Sequence, residues 1–141
     1  MRPLRFLLLI AALLSPAGLS AQPVGDSDRQ AIQSTILAQI QAFRLDDAGT
    51  AFSYASPYIQ EKFQNPGRFI NIVRRNYQHV YRAQDVTFTE LSVVEGHPIQ
   101  QVHLVGPDGT AVIAAYIMQR QEDGSWKING VHLRKADDTT S

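Results

Sequence analysis

Ala51-Phe52-Ser53-Tyr54-Ala55-Ser56-Pro57-Tyr58-Ile59-Gln60-Glu61-Lys62-Phe63 is the stretch around which the rest of the chain falls into place. Its aromatics Phe52, Tyr54, Tyr58 and Phe63 lie in two short helical turns joined by Ser56-Pro57. Proline fits the first position of a helix, because the N–H it lacks would have no partner there. A segment of this kind closes the end of a curved sheet and lines whatever space remains beneath it.

Upstream, Ser27-Asp28-Arg29-Gln30 fits a capping box, with Ser27 as N-cap and Gln30 reaching back to its N–H. Ile32, Ile36, Ile40 and Phe43 then recur at helical spacing, with Gln33, Gln39 and Gln41 on other faces. The spacing predicts a helix to about Leu45, and its single apolar stripe must lie on something. Asp46-Asp47 ends it. Paired aspartates invite a catalytic or metal reading, yet Asp is favoured at N-caps. The simpler expectation is a helix junction with solvated carboxylates, Asp47 capping a short helix through Tyr54. Asn65-Pro66 repeats the start signal and opens a further helix with Phe69, Ile72, Val73 and Tyr77 on one face.

From Val80 the period changes. Val86 to Val93 is rich in β-branched residues and reads as a strand. Glu95-Gly96-His97-Pro98 reads as a turn, followed by a strand from Ile99 to Val105. Gly106-Pro107-Asp108-Gly109 is a strong turn signal. Thr110 to Gln119 forms the longest strand, Glu122-Asp123-Gly124 turns again, and Ser125 to Leu133 closes the set. Short connections between neighbouring strands mean an antiparallel meander. The expected fold is therefore α+β: three N-terminal helices packed on a curved four-stranded antiparallel meander. Ala111 to Met118 is apolar at both parities, so this strand is expected at the centre, with a second copy of the chain on its outer face. That makes a homodimer through the sheet face an expected partner.

The ends fix a compartment. Arg2 and Arg5 precede an apolar run from Phe6 to Leu14, and Ser15-Pro16-Ala17-Gly18 breaks it before Ser20-Ala21. This pattern predicts a signal peptide over residues 1–21, cleaved after Ser20 or Ala21. A membrane span needs about 20 apolar residues, and this run stops short. Residues 22–27 read as a flexible lead, 28–134 as one domain and 135–141 as a disordered polar tail. The mature chain of about 120 residues suits one core and not two. It contains no cysteine, so neither a disulfide nor lipid attachment at cysteine supports it. Removing Arg2 and Arg5 leaves 11 of the 13 basic residues against 13 acidic ones, a formal charge of −2. A near-neutral chain lacks the footprint of a nucleic-acid binder, and after signal removal it has no attraction to anionic membranes. The expected location is the periplasm or the medium.

The assembled order resembles the NTF2-like α+β cone, and more narrowly a family of small exported bacterial proteins, the domain of unknown function DUF4864. Asp28-Arg29-Gln30-Ala31-Ile32, Gln39-Ile40-Gln41-Ala42-Phe43, Ala51 to Pro57 and Gln60-Glu61-Lys62-Phe63 carry the resemblance. Val80-Tyr81-Arg82, Val105-Gly106-Pro107-Asp108-Gly109 and Asp123-Gly124-Ser125-Trp126-Lys127-Ile128 extend it to about Leu133. It implies fold and export and brings no established activity. Several relatives carry a cysteine after the glycine matching Gly130; Val131 stands there in this chain, so thiol chemistry at that point is not available.

NTF2-like cones often hold a pocket between helices and sheet, and some are isomerases or dehydratases, although fold does not confer function. The residues expected to line such a pocket are Phe52, Tyr54, Tyr58, Phe63, Tyr77, Tyr81, Tyr116 and Trp126. Trp126 reads first as a core aromatic of a strand and only second as a ligand platform. An isomerase needs a carboxylate base and convergent oxyanion donors. Glu90, on the parity of Val86 and Phe88, or His103 would be the base, with Tyr54 or Tyr116 as donor, although the simpler expectation for Glu90 is an edge-strand glutamate facing water. The remaining carboxylates fall at predicted ends or turns. His79, His97, His103 and His132 lack the short spacing of zinc ligands, no nucleophile elbow is present, and no cofactor is implied. Arg74 and Arg75, with Arg68 and Arg82 near them, form a solvated helix face or a docking patch for an anion. The leading expectation is a non-enzymatic module of the bacterial envelope that binds a small apolar or amphipathic ligand or a partner chain. The alternative is a small pocket enzyme of isomerase or dehydratase type.

Overall fold

The start signals at Asp47, Ser56 and Asn65 each open a helix in the computed structural model, which describes residues 24–136. The signal peptide expected at 1–21 and the residues beyond 136 lie outside the described residues. Helix α1 spans Asp26–Arg44, α2 Ala48–Ser53, α3 Pro57–Phe63, α4 Pro66–Asn76 and the single turn α5 Gln78–Tyr81. Grouped in expectation as three helices, the predicted starts each open their own segment, and the single turn α5 is added after them. Asp46 and Gln64 take positive φ, 56° and 79°, and break the chain into short pieces. At Asp46 the break is a left-handed C-cap: Asp47 N–H donates to Ala42 O at 2.8 Å and Asp46 N–H to Phe43 O at 3.0 Å.

The caps are local chemistry. Asp47 accepts from Thr50 N–H at 3.2 Å, Ser56 from Ile59 N–H at 3.2 Å and Asn65 from Arg68 N–H at 2.9 Å. Helix α1 starts earlier than the Ser27 capping box predicts, with Gly25 as N-cap. Asp28 reaches back to Gly25 N–H at 3.4 Å and pairs with Arg120 at 2.9 Å, so its charge serves the helix start. Asp26 and Ser27, expected in the flexible lead, are therefore helical.

Strands β1 (Asp85–Val94), β2 (His97–Val105), β3 (Ala111–Arg120) and β4 (Trp126–Lys135) form one open antiparallel sheet in that order. β2 begins at His97 rather than Ile99. Glu95 and Gly96, at φ 53° and 83°, make a two-residue turn of primed type that leaves His97 opposite Val94. β3 is central, as its double apolar parity predicts. Val112, Ala114, Tyr116 and Met118 are buried, while Ile113, Ala115 and Ile117 on the other face are half-buried.

The α1 stripe supplies the core. Ile32, Ile36, Ile40 and Phe43 are fully buried and join Val102, Leu104, Ala114, Tyr116 and Met118 in one cluster. Burying each such side chain contributes about 1.5–3 kcal/mol relative to exposure.

The Ala51–Phe63 stretch is latched to the edge strand β4. Ser56 N–H donates to Ile128 O and Ile128 N–H to Tyr54 O, both at 2.9 Å, closing a parallel bridge at Ala55. The buried Ser56 hydroxyl donates to Asn129 Oδ1 at 2.6 Å, and Lys127 Nζ donates to Ser53 O at 2.7 Å. Asn129 falls where the β3–β4 register shifts, a bulge that bends the strand toward the helices. The latch also covers part of an otherwise unpaired sheet edge.

Candidate functional site

A cavity of ≈ 340 Å³ lies between α3 and α4, the end of α1 and the bulged part of β4. Gln39 and Phe43 of α1 close its back. Tyr58, Ile59, Lys62 and Phe63 of α3 form one wall, and Phe69, Ile72 and Val73 of α4 the other. Tyr77 and Val80 bound one end, and Ile128 to His132 make the floor with Ile117. The aromatic wall is one packed group: Phe69 has its ring centroid 5.9 Å from Phe43, 5.5 Å from Phe52 and 5.7 Å from Phe63. Such tilted and edge-on contacts hold rings in place by their quadrupoles as well as by burial.

Its polar groups are few. Gln39 is buried and its amide donates to Ala51 O at 3.0 Å, so that end is committed to holding α2. Asn129 Oδ1 is taken by Ser56. Lys62 stands at the rim, exposed, and His132 at the floor's outer end. Among the described residues, no aspartate or glutamate lines the cavity.

Of the residues expected to line it, Tyr58, Phe63 and Tyr77 do so. Tyr54 is half-buried outside it, 6.0 Å from Lys127 Nζ, and Phe52 backs the wall through Phe69 without reaching the space. Trp126 is buried, with the Arg120 guanidinium 4.5 Å over its ring. Tyr116 is wholly buried and its hydroxyl has no partner among the described residues. Burial there pushes the phenol's pKa well above its ordinary value.

Tyr81 belongs to a separate cluster. Its hydroxyl donates to Asp46 Oδ1, its ring lies 5.8 Å from Phe43, and the Arg82 guanidinium stacks over it at 4.2 Å. Arg82 also donates to Asp46 at 2.8 Å and to Phe43 O at 2.7 Å. These bonds hold the Asp46 carboxyl below the usual carboxylate range, Tyr81 contributing most and Arg82 next. Asp46 is the exposed carboxylate expected at the helix junction, and it also accepts the bonds that join α1 to α5. Arg82 was expected in an anion patch with Arg74 and Arg75; its charge is already met. Arg74 donates to the Tyr81 hydroxyl at 3.3 Å and to Asn71, so it belongs to this cluster too. Only Arg75 of the three faces elsewhere.

The residues offered as a base are not brought together with the donors. Glu90 is exposed, because the β1 register shifts between Phe88 and Leu91 and the inward parity of Val86 and Phe88 ends there. Gln100, wholly buried beside this shift, donates its amide to Gln101 O at 2.9 Å and points it at Thr89 O and Glu90 O at 3.4 Å. His103 lies opposite Thr87 and Ile113, on the parity that faces away from Val102 and Leu104. Neither lines the cavity.

The sequence reading missed Phe43, Phe69, Lys62, Asn129 and His132 as lining residues. Lys62 had a signal in its place beside Phe63 on the same short helix. Gly130 within a strand was the signal for a bulge, and hence for a floor at Asn129.

No curated protein matches the chain. The family described as Domain of unknown function (DUF4864) matches residues 25–141, from the α1 N-cap through the whole helical roof and sheet. The chain belongs to the DUF4864 family.

Proposed function

We propose that this protein is a non-enzymatic binding module of the bacterial envelope, holding a small apolar or amphipathic molecule beneath α3 and α4. The observation that carries this reading is the cavity's lining: aromatic and aliphatic walls, a single lysine at the rim and, among the described residues, no carboxylate. At ≈ 340 Å³ it is at the lower end of the roughly 300–1,000 Å³ typical of ligand sites. An isomerase or dehydratase of this kind needs a base within hydrogen-bond reach of its substrate. Neither residue offered for that role, Glu90 or His103, is among the described lining residues, and His132 stands exposed at the cavity floor. Helices followed by an open four-stranded antiparallel sheet are compatible with the NTF2-like cone, in which such a pocket is common. The arginine-flanked apolar leader at residues 1–21 supports export to the periplasm or beyond.

Native mass spectrometry of the mature protein purified gently from its own host tests the reading. An adduct of small-molecule mass is expected on the wild type and its loss in Ile72→Trp, which fills the cavity from a half-buried wall position. An adduct retained at equal occupancy by Ile72→Trp, or a wild type that emerges without one, would contradict it.

A further inference from the structure

A second depression of ≈ 330 Å³ adjoins the cavity on the far side of Phe63 and Ile72. It shares Lys62, Phe63 and Ile72 with the cavity and adds Arg68, Asn71 and Arg75. Among the described residues, every charged side chain in this lining is positive. The ion pairs among the described residues are Arg82–Asp46, Arg120–Asp28 and His79–Asp108, and none involves Lys62, Arg68 or Arg75. Arg68 is steadied by a neutral partner instead, donating to Gln64 Oε1 at 2.7 Å. Gln64 is held for this by the positive φ that ends α3. An apolar space therefore opens beside three cations whose charge no carboxylate among the described residues offsets.

From this we infer that the molecule bound in the cavity is a single-chain amphiphile with an oxyanion head, its chain under α3 and α4 and its head at Lys62, Arg68 and Arg75. The inference rests on the cavity being a ligand site. Guanidinium forks recognise carboxylate and phosphate oxygens in pairs, and Lys62 adds a mobile point charge between the two spaces. The apolar volume suits one short chain, not the two chains of a membrane phospholipid. Charge selects the head here; the aromatic wall selects the tail.

Isothermal titration of the mature protein with octanoate, octyl phosphate and octanol separates the parts of this inference. At low salt one of the two oxyanions should bind at least about tenfold more tightly than octanol, the worth of a charge-assisted contact. The double variant Arg68→Gln/Arg75→Gln should lose that advantage and keep the octanol affinity of the wild type. Raising salt should narrow the gap, because the cations are exposed. Octanol binding as well as both oxyanions, or an advantage that survives the double variant, overturns the headgroup assignment and leaves the cavity standing. No binding of any of the three overturns the cavity reading and this inference with it.

Discussion

Arg82 and Arg75 start from one run of positive charge and end in opposite surroundings. Arg82 is spent: Asp46, the Phe43 carbonyl and the Tyr81 ring all take part of its charge. Arg75 lines the second depression with Arg68 and Lys62, where no carboxylate answers it among the described residues. The first set fastens α5 to the end of α1. The second borders an apolar space. A basic run in a sequence therefore says little until its partners are known, and binding belongs to the cations left over. The two regions should respond to substitution in different ways.

The largest effect is expected at the fastened side. Tyr81→Ala removes a buried ring that touches Phe43, Arg82 and Asp46, and should cost about 3–5 kcal/mol of stability, as large aromatic truncations do. Urea denaturation would measure it, and a loss below about 1 kcal/mol would dissolve the contrast between the regions. Next comes the anchor of α5 on the turn between β2 and β3. His79 Nε2 lies 2.8 Å from Thr110 Oγ1, and its ring sits over Gly106, where an added Cβ would fall 2.6 Å from His79 Cδ2. Gly106→Ala should push α5 outward and cost about 1–3 kcal/mol, the usual range for overpacking. Thermal melts of this variant beside Gly106→Ala/His79→Ala would show partial rescue if the ring is the obstacle.

A smaller effect is read against pH. Asp46 titrates lower in the folded chain than its unfolded value of 3.8. Its contribution is therefore complete above that value and is lost as pH falls through the lowered folded pKa. The stability gap between wild type and Asp46→Asn should be constant from neutrality to about pH 4 and close below it. A gap that widens on acidification would contradict the assigned bonds. The smallest effect belongs to the unpaired side: Arg68→Gln and Arg75→Gln should each change stability by no more than about 0.5 kcal/mol, as exposed positions do. A larger loss would make these arginines structural.

The fold was legible where its signals were local. Asp47, Ser56-Pro57 and Asn65-Pro66 declare helix starts by their own side chains, and the α1 stripe declares its buried face at every turn. The candidate site was legible only on the helices, at Tyr58, Phe63 and Tyr77. What was not legible depends on pairing across the chain. The β1 register shift beside Glu90 appears only in the pairing with the next strand, where the buried Gln100 amide points at Glu90 O. The floor at Asn129 exists because Ser56 docks on it from a helix cap far away in sequence. Tyr77 and Tyr81 look equivalent in a helical pattern, yet α4 ends at Asn76 and the new turn sends Tyr81 to Asp46.

The central claim is that ligand binding uses the space beneath α3 and α4 and leaves the Asp46–Tyr81–Arg82 cluster alone. An amide chemical-shift map of the mature protein titrated with octanoate tests it most directly. The account predicts saturable shifts at Ile72, Gly130 and Val131, together with Arg75, and none at Asp46 or Arg82. Shifts centred on Asp46 and Arg82, or no saturable shifts at all, would contradict it.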